Sequence, residues 1–161
     1  NYFGRHERGC KVEESLSKIV DTFSLPDMDV TQLSPLVLAY IGDGVYEFIV
    51  RTYVVFQGNR QVNKMHKDSA NLVKAATQAK MVKLLCDDLM AEELSVYRRG
   101  RNANSHTMAK NASMTDYRHA TGFEALMGYL YLSGNFSRAV ELVDLAWKKM
   151  NEVRGEVSGS E

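Results

Sequence analysis

The chain has 161 residues, 45% of them hydrophobic and 25% charged, and its 20 basic and 20 acidic residues leave a formal net charge of zero. That length suits one domain with a proper core, and the composition is that of an ordinary soluble globular protein. A membrane-spanning chain is excluded, because no apolar run approaches the roughly 20 residues a span needs, and so is a uniformly basic binder of polyanions.

Cys10 and Cys86 form no CxxC pair and lie far apart. Neither a disulfide scaffold nor a zinc knuckle is indicated, and a reducing cytoplasm fits best. The opening residues lack the basic-then-apolar order of a secretory signal. Residues 1–24 therefore read as a tail, with a weak helix over Val12 to Thr22.

Only two prolines occur, and no stretch alternates apolar and polar residues as a strand would, so an all-helical fold is expected. Pro26 to Asp29 links into Ser34, which caps a helix whose first residue is Pro35. Gly58-Asn59 stops that helix. Asn63 offers a cap for the next segment, which runs through Leu72 and Val73 to Leu85 as one helix or two. Asp87-Asp88 begins another, ending near Asn102. From Ala103 to Asp116 the chain is polar and small, too long for a plain connector, and reads as a functional loop. Tyr117 to Leu132 returns to helix. Ser133-Gly134-Asn135 closes it and caps a last helix from Phe136 to about Val153, with Val140, Val143, Leu145 and Trp147 facing inward. The domain then spans residues 25–153, followed by a flexible tail over 154–161.

Two of these helices are apolar nearly all round, and each carries a carboxylate: Asp43 between Gly42 and Gly44, and Glu124 between Phe123 and Ala125. Burying a carboxylate is costly without a partner or a metal, and each helix-interior glycine costs about 1 kcal/mol relative to alanine. Sequences break local rules where function resides. If the helices cross, the two acids meet and repel unless a cation lies between them. Hard oxygen ligands select Mg²⁺ or Mn²⁺, and the chemistry that follows is phosphodiester hydrolysis. The bland alternative is a buried hydrogen bond for Asp43 and a pairing of Glu124 with Arg118 or His119. Glu47 stands four residues before Arg51, in the favoured order for a surface ion pair. His66, His106 and His119 show no metal-ligand spacing, and Ser34 is better read as a cap than as a nucleophile.

The charges are segregated. Between Tyr97 and His119 lie five bases, Arg98, Arg99, Arg101, Lys110 and Arg118, against one acid, Asp116. A basic surface on a neutral chain follows, although a merely solvated face is an equal reading on charge alone.

The segments Leu38-Ala39-Tyr40-Ile41-Gly42-Asp43-Gly44-Val45-Tyr46-Glu47 and Thr121-Gly122-Phe123-Glu124-Ala125-Leu126-Met127-Gly128 resemble the two halves of the ribonuclease III endonuclease signature. The Mini-III ribonucleases are the closer match, through Tyr97-Arg98-Arg99-Gly100-Arg101-Asn102-Ala103 and the run from Asp116 to Glu124. Ordinary ribonuclease III enzymes carry acids where this chain has Leu36, Ala39 and Thr121. Mini-III enzymes share that reduction. They also lack a double-stranded RNA-binding domain, which the mostly polar residues after Met150 are too few to form.

The resemblance implies an all-helical homodimeric endonuclease that cuts double-stranded RNA with Mg²⁺, for which Mn²⁺ substitutes. It leaves 5′-phosphate and 3′-hydroxyl ends and acts on large-subunit (23S) ribosomal RNA precursors, with a ribosomal protein as a conceivable presenter of substrate. Asp43 would be the indispensable carboxylate and Glu124 its metal-binding partner. A-form RNA hides its major groove, so recognition rests on phosphates and 2′-hydroxyls. Arg98, Arg99, Arg101, Asn102, Asn104, Lys110 and Arg118 are the candidate contacts, extended by Lys64, Lys67 and Lys74. Restoring a missing acid by Ala39→Glu is expected to lower the Mg²⁺ requirement. The rival reading is an inactive ribonuclease III-like domain that binds structured RNA within a ribosomal particle.

Overall fold

The computed structural model describes residues 14–104 and 113–158. Within them the chain forms helices α1 (Glu14–Thr22), α2 (Pro35–Phe56), α3 (Val62–Val73), α4 (Ala75–Leu85), α5 (Ala91–Asn102), α6 (Met114–Leu132) and α7 (Phe136–Ser158). Short 3-10 turns occupy Val30–Gln32 and Cys86–Asp88, and no strand occurs among the described residues. The all-helical expectation holds.

Local chemistry explains most boundaries. Ser34 accepts from the Val37 amide at 3.3 Å, with Pro35 at the first helical position. Gly58 and Gly134 adopt the positive φ that ends a helix. Asn135 accepts from the Arg138 amide and opens α7. Three starts differ from expectation. Helix α3 begins at Val62, ahead of Asn63, and α5 begins at Ala91 because Asp87 and Asp88 are taken up by the 3-10 turn. Helix α6 begins at Met114 because Ser113 is its cap, accepting from the Asp116 amide at 3.0 Å. At the other end α7 runs on to Ser158, into the stretch read as a tail, since a lone Gly155 is too weak a stop.

Helix α6 is the centre of the molecule and packs against α2, α4, α5 and α7. Its Phe123, Leu126 and Met127 are fully buried with Tyr46, Val50, Met81, Val82, Leu85 and Tyr97. From α7 the inward stripe is Ala139, Leu142, Val143, Ala146 and Met150, spaced for one helical face. Val140 lies off that stripe and is exposed, contrary to expectation, whereas Leu145 and Trp147 are half-buried against the core.

Helices α2 and α6 meet backbone to backbone. A Cβ on Gly42 would lie 1.6 Å from the carbonyl oxygen of Glu124, and one on Gly128 would lie 2.0 Å from that of Leu38. The glycine penalty at Gly42 is thus the condition for a close crossing. At Gly44 a Cβ would meet nothing within 4 Å, and packing gives no account of that glycine.

Candidate active site

The crossing of α2 and α6 brings Asp43 and Glu124 together. Glu124 is largely buried, and its carboxyl is pushed up to about 7, first by burial and then by the negative charge of Asp43. Asp43 is held above its ordinary value by partial desolvation and by Glu47. One premise of the sequence reading is corrected: Asp43 is exposed, not buried. Helix α2 buries only the face set against α6. Its other side leaves Tyr40 (84% exposed), Phe48 (64%), Val37 and Phe56 open in a single chain. An apolar pattern all round does not by itself bury both faces of a helix.

The alternative partners for Glu124 are not used. His119 forms a hydrogen bond with the Tyr97 hydroxyl, and burial together with Lys83 and Arg101 holds its ring below the usual histidine range. Arg118 is exposed. The hydrogen bond that reaches Glu124 comes from Gln78, whose Nε2 donates to Oε1 at 3.2 Å.

Gln78 is a residue that sequence reasoning missed. It is only 2% exposed, and its Nε2 also donates to the Val73 carbonyl at 2.7 Å. That carbonyl is one of the orphans at the end of α3, where Lys74 turns to extended geometry and breaks the segment into two helices. Thr77 donates in the same way to Asn71 at 2.6 Å. A signal was present: Gln78, Met81, Val82 and Leu85 fall at i, i+3, i+4 and i+7, so the glutamine occupies the buried stripe of α4.

The three positions without acids differ from one another. Leu36 is exposed, whereas Ala39 is packed with Val30, Leu38, Val96 and Ala125. Thr121 is buried, and its hydroxyl donates to the Tyr117 carbonyl at 2.9 Å. A glutamate at position 39 would be forced into an apolar cluster, so the expected gain from Ala39→Glu is withdrawn. Glu47 pairs with Arg51 at 2.7 Å on the surface, as expected. His66 is exposed.

The basic candidates scatter over several elements. Arg98, Arg99 and Asn102 line one cavity of about 590 Å³ beside Pro35, Ser95 and Ala103. Arg101 turns instead over the Tyr97 ring, 5.6 Å from its centroid. Lys64 and Lys67 are exposed on α3, and Asn104 follows α5. Lys74 lines a separate cavity with Arg60, Asp68 and Arg154, two arginines that the sequence reading did not single out. Lys110 and His106 lie outside the described residues.

Comparison with known proteins decides the family. The Ribonuclease III domain model matches residues 36–135, a span that contains both carboxylates and, but for Pro35, both helices of the crossing. The chain belongs to the ribonuclease III family. It is 49% identical to the Mini-ribonuclease 3 of Thermoanaerobacter sp. over 76% of this chain and 87% of that protein. With the Mini-ribonuclease 3 of Clostridium tetani the identity is 45% over 82% and 90% of the two chains. Among solved structures, the crystal structure of protein FN1578 from Fusobacterium nucleatum superposes with a TM-score of 0.68 at 25% identity, covering 76% of this chain and 98% of that one. The protein is a ribonuclease III-like endonuclease of double-stranded RNA.

Enzymes of the ribonuclease III family are metal-dependent in general. The residues at the crossing fit such an ion. Two carboxylates supply hard oxygen, and beside them the Gln78 Oε1 is a buried acceptor with no donor among the described residues. No group of three or more His, Cys, Asp or Glu gathers among the described residues. An ion held by two carboxylates keeps most of its coordination for water and phosphate oxygen, which is the habit of Mg²⁺.

Proposed function

We propose that the protein is a Mg²⁺-dependent, homodimeric endoribonuclease that uses Asp43 and Glu124 to cut double-stranded RNA, leaving 5′-phosphate and 3′-hydroxyl ends. The observation that carries this reading is the meeting of the two carboxylates at the α2–α6 crossing, where the charge of Asp43 is felt by Glu124. A bound divalent ion supplies polarisation of a phosphate oxygen and an acidified water as nucleophile. Asp43, exposed at the crossing, and Glu124, largely buried beside it, would be the two residues that hold the ion, each through a carboxylate oxygen. Mn²⁺ substitutes as another hard ion of similar demand.

The substrate is assigned to ribosomal RNA, the precursor of the large-subunit 23S species, in the cytoplasm. No described helix is long and apolar enough to cross a membrane. Arg98, Arg99 and Asn102, with Lys64, Lys67, Lys74, Arg101, Asn104, Lys110 and Arg118, are assigned to phosphates and 2′-hydroxyls. The uncovered face of α2, with Val37, Tyr40 and Phe48, favours a second copy of the chain, and a twofold pair aims two centres at opposite strands. A single-chain mass in analytical ultracentrifugation overturns the dimer.

Incubation with long duplex RNA, single-stranded RNA and duplex DNA, in Mg²⁺ or chelator, tests the assignment. Only duplex RNA with Mg²⁺ is cut. Asp43→Asn lowers the rate by about a thousandfold or more while RNA binding persists; a variant that cuts at the wild-type rate removes Asp43 from the mechanism.

A further inference from the structure

Gln78 has no partner for half of its amide. Its nitrogen is fully used, one hydrogen on the Val73 carbonyl and one on Glu124, but its Oε1 is buried with no donor among the described groups. Exchanging the two ends of the amide does not relieve this, because Val73 and Glu124 both present oxygen. Buried acceptors are seldom left empty, and each exception asks for a reason. A purely structural cap for α3 is an insufficient one. Capping α3 takes only one of the two amide hydrogens, on the Val73 carbonyl, and the other goes to Glu124. The amide thus stands at the carboxylate proposed to hold a divalent ion.

We infer that Gln78 is a positioning residue of the metal centre: its Nε2 fixes the Glu124 carboxylate for the ion, and its Oε1 accepts a hydrogen bond from the ion's hydration shell. The inference rests on the assignment of Asp43 and Glu124 as the metal-holding pair. Groups behind the first ligands orient them and tune the ion, and losing one costs ten- to a hundredfold in metal affinity. This centre has two acids where relatives with more carboxylates rely on charge, so the orientation of each acid counts for more. The same amide also ties the centre to the α3–α4 break, at which Lys74 stands.

The test is Mn²⁺ binding followed by electron paramagnetic resonance, without RNA, on the full chain and its Gln78→Leu, Asp43→Asn and Glu124→Gln variants. Gln78→Leu, shown by circular dichroism to keep its metal-free fold, binds Mn²⁺ about ten- to a hundredfold more weakly. Wild-type Mn²⁺ affinity in Gln78→Leu overturns the inference, provided that Asp43→Asn and Glu124→Gln have lost affinity. If those two also bind as wild type, the metal-holding pair itself is wrong and the inference falls with it. A measurement on the unmutated protein covers the case in which Gln78→Leu does not fold. The Gln78 side-chain amide resonances shift on addition of Mg²⁺ in step with occupancy of the site, and resonances that stay fixed through saturation overturn the role.

Discussion

Where α2 crosses α6, backbone meets backbone and little can shift; Lys64 and Lys67 on α3, Arg98 and Arg99 on α5 and Arg118 near the start of α6 are exposed instead. The crossing concentrates its effect. One misplaced atom at Gly42 separates two helices and with them two carboxylates. The basic surface distributes its effect over Lys64, Lys67, Arg98, Arg99 and Arg118, each exposed and each worth little alone. Reaction geometry requires the first kind of construction, and recognition of a regular backbone is satisfied by the second.

The largest effect expected from breaking this contrast is at the glycines. Gly42→Ala places a methyl group 1.6 Å from a carbonyl oxygen that has nowhere to retreat, and destabilisation of about 4 kcal/mol or more follows, measurable by urea denaturation. Gly155→Ala, whose Cβ meets nothing within 4 Å, is neutral or stabilises by up to about 1 kcal/mol. Equal stabilities for the two variants would remove the tight crossing from the account.

A smaller effect is electrostatic. The Glu124 carboxyl stands at about 7 in the folded chain against 4.5 when free. The folded state therefore binds the proton more tightly, and metal-free stability falls as pH rises from about 4.5 to 7 and levels off above. Glu124→Gln abolishes that fall and is more stable than wild type at pH 8 by on the order of 2 kcal/mol. Thermal melts in chelator between pH 5 and 8 check this; parallel profiles for the two proteins would contradict it.

The basic surface should yield the smallest single effects. Arg98→Ala and Arg99→Ala each weaken RNA binding several-fold at low salt, lower the slope of log affinity against log salt by about 1, and leave the melting temperature alone. A loss beyond a hundredfold from either arginine would place it in the concentrated class with the crossing.

The same contrast governs what the sequence disclosed. Helix limits were legible at Ser34-Pro35 and Ser133-Gly134-Asn135 because capping chemistry is local. The meeting of Asp43 and Glu124 was legible because two apolar helices carrying one acid each have few ways to pack. The exposure of Asp43 was not: periodicity reports that a face is apolar, not that the fold buries it. Ala39 was taken as a place for another ligand, yet it is sealed by Val96 and Ala125, a fact that lives only in three dimensions. Gln78 escaped because glutamine carries no metal motif, although its place on the buried stripe of α4 was there to be read.

The most direct test of the central claim is a Mn²⁺ titration of wild type, Asp43→Asn and Glu124→Gln in the absence of RNA. Convergence of the two carboxylates on one ion predicts saturable binding to wild type and a loss of at least tenfold in affinity in each variant, with both still folded. Wild-type binding by either folded variant would contradict a shared centre at the α2–α6 crossing.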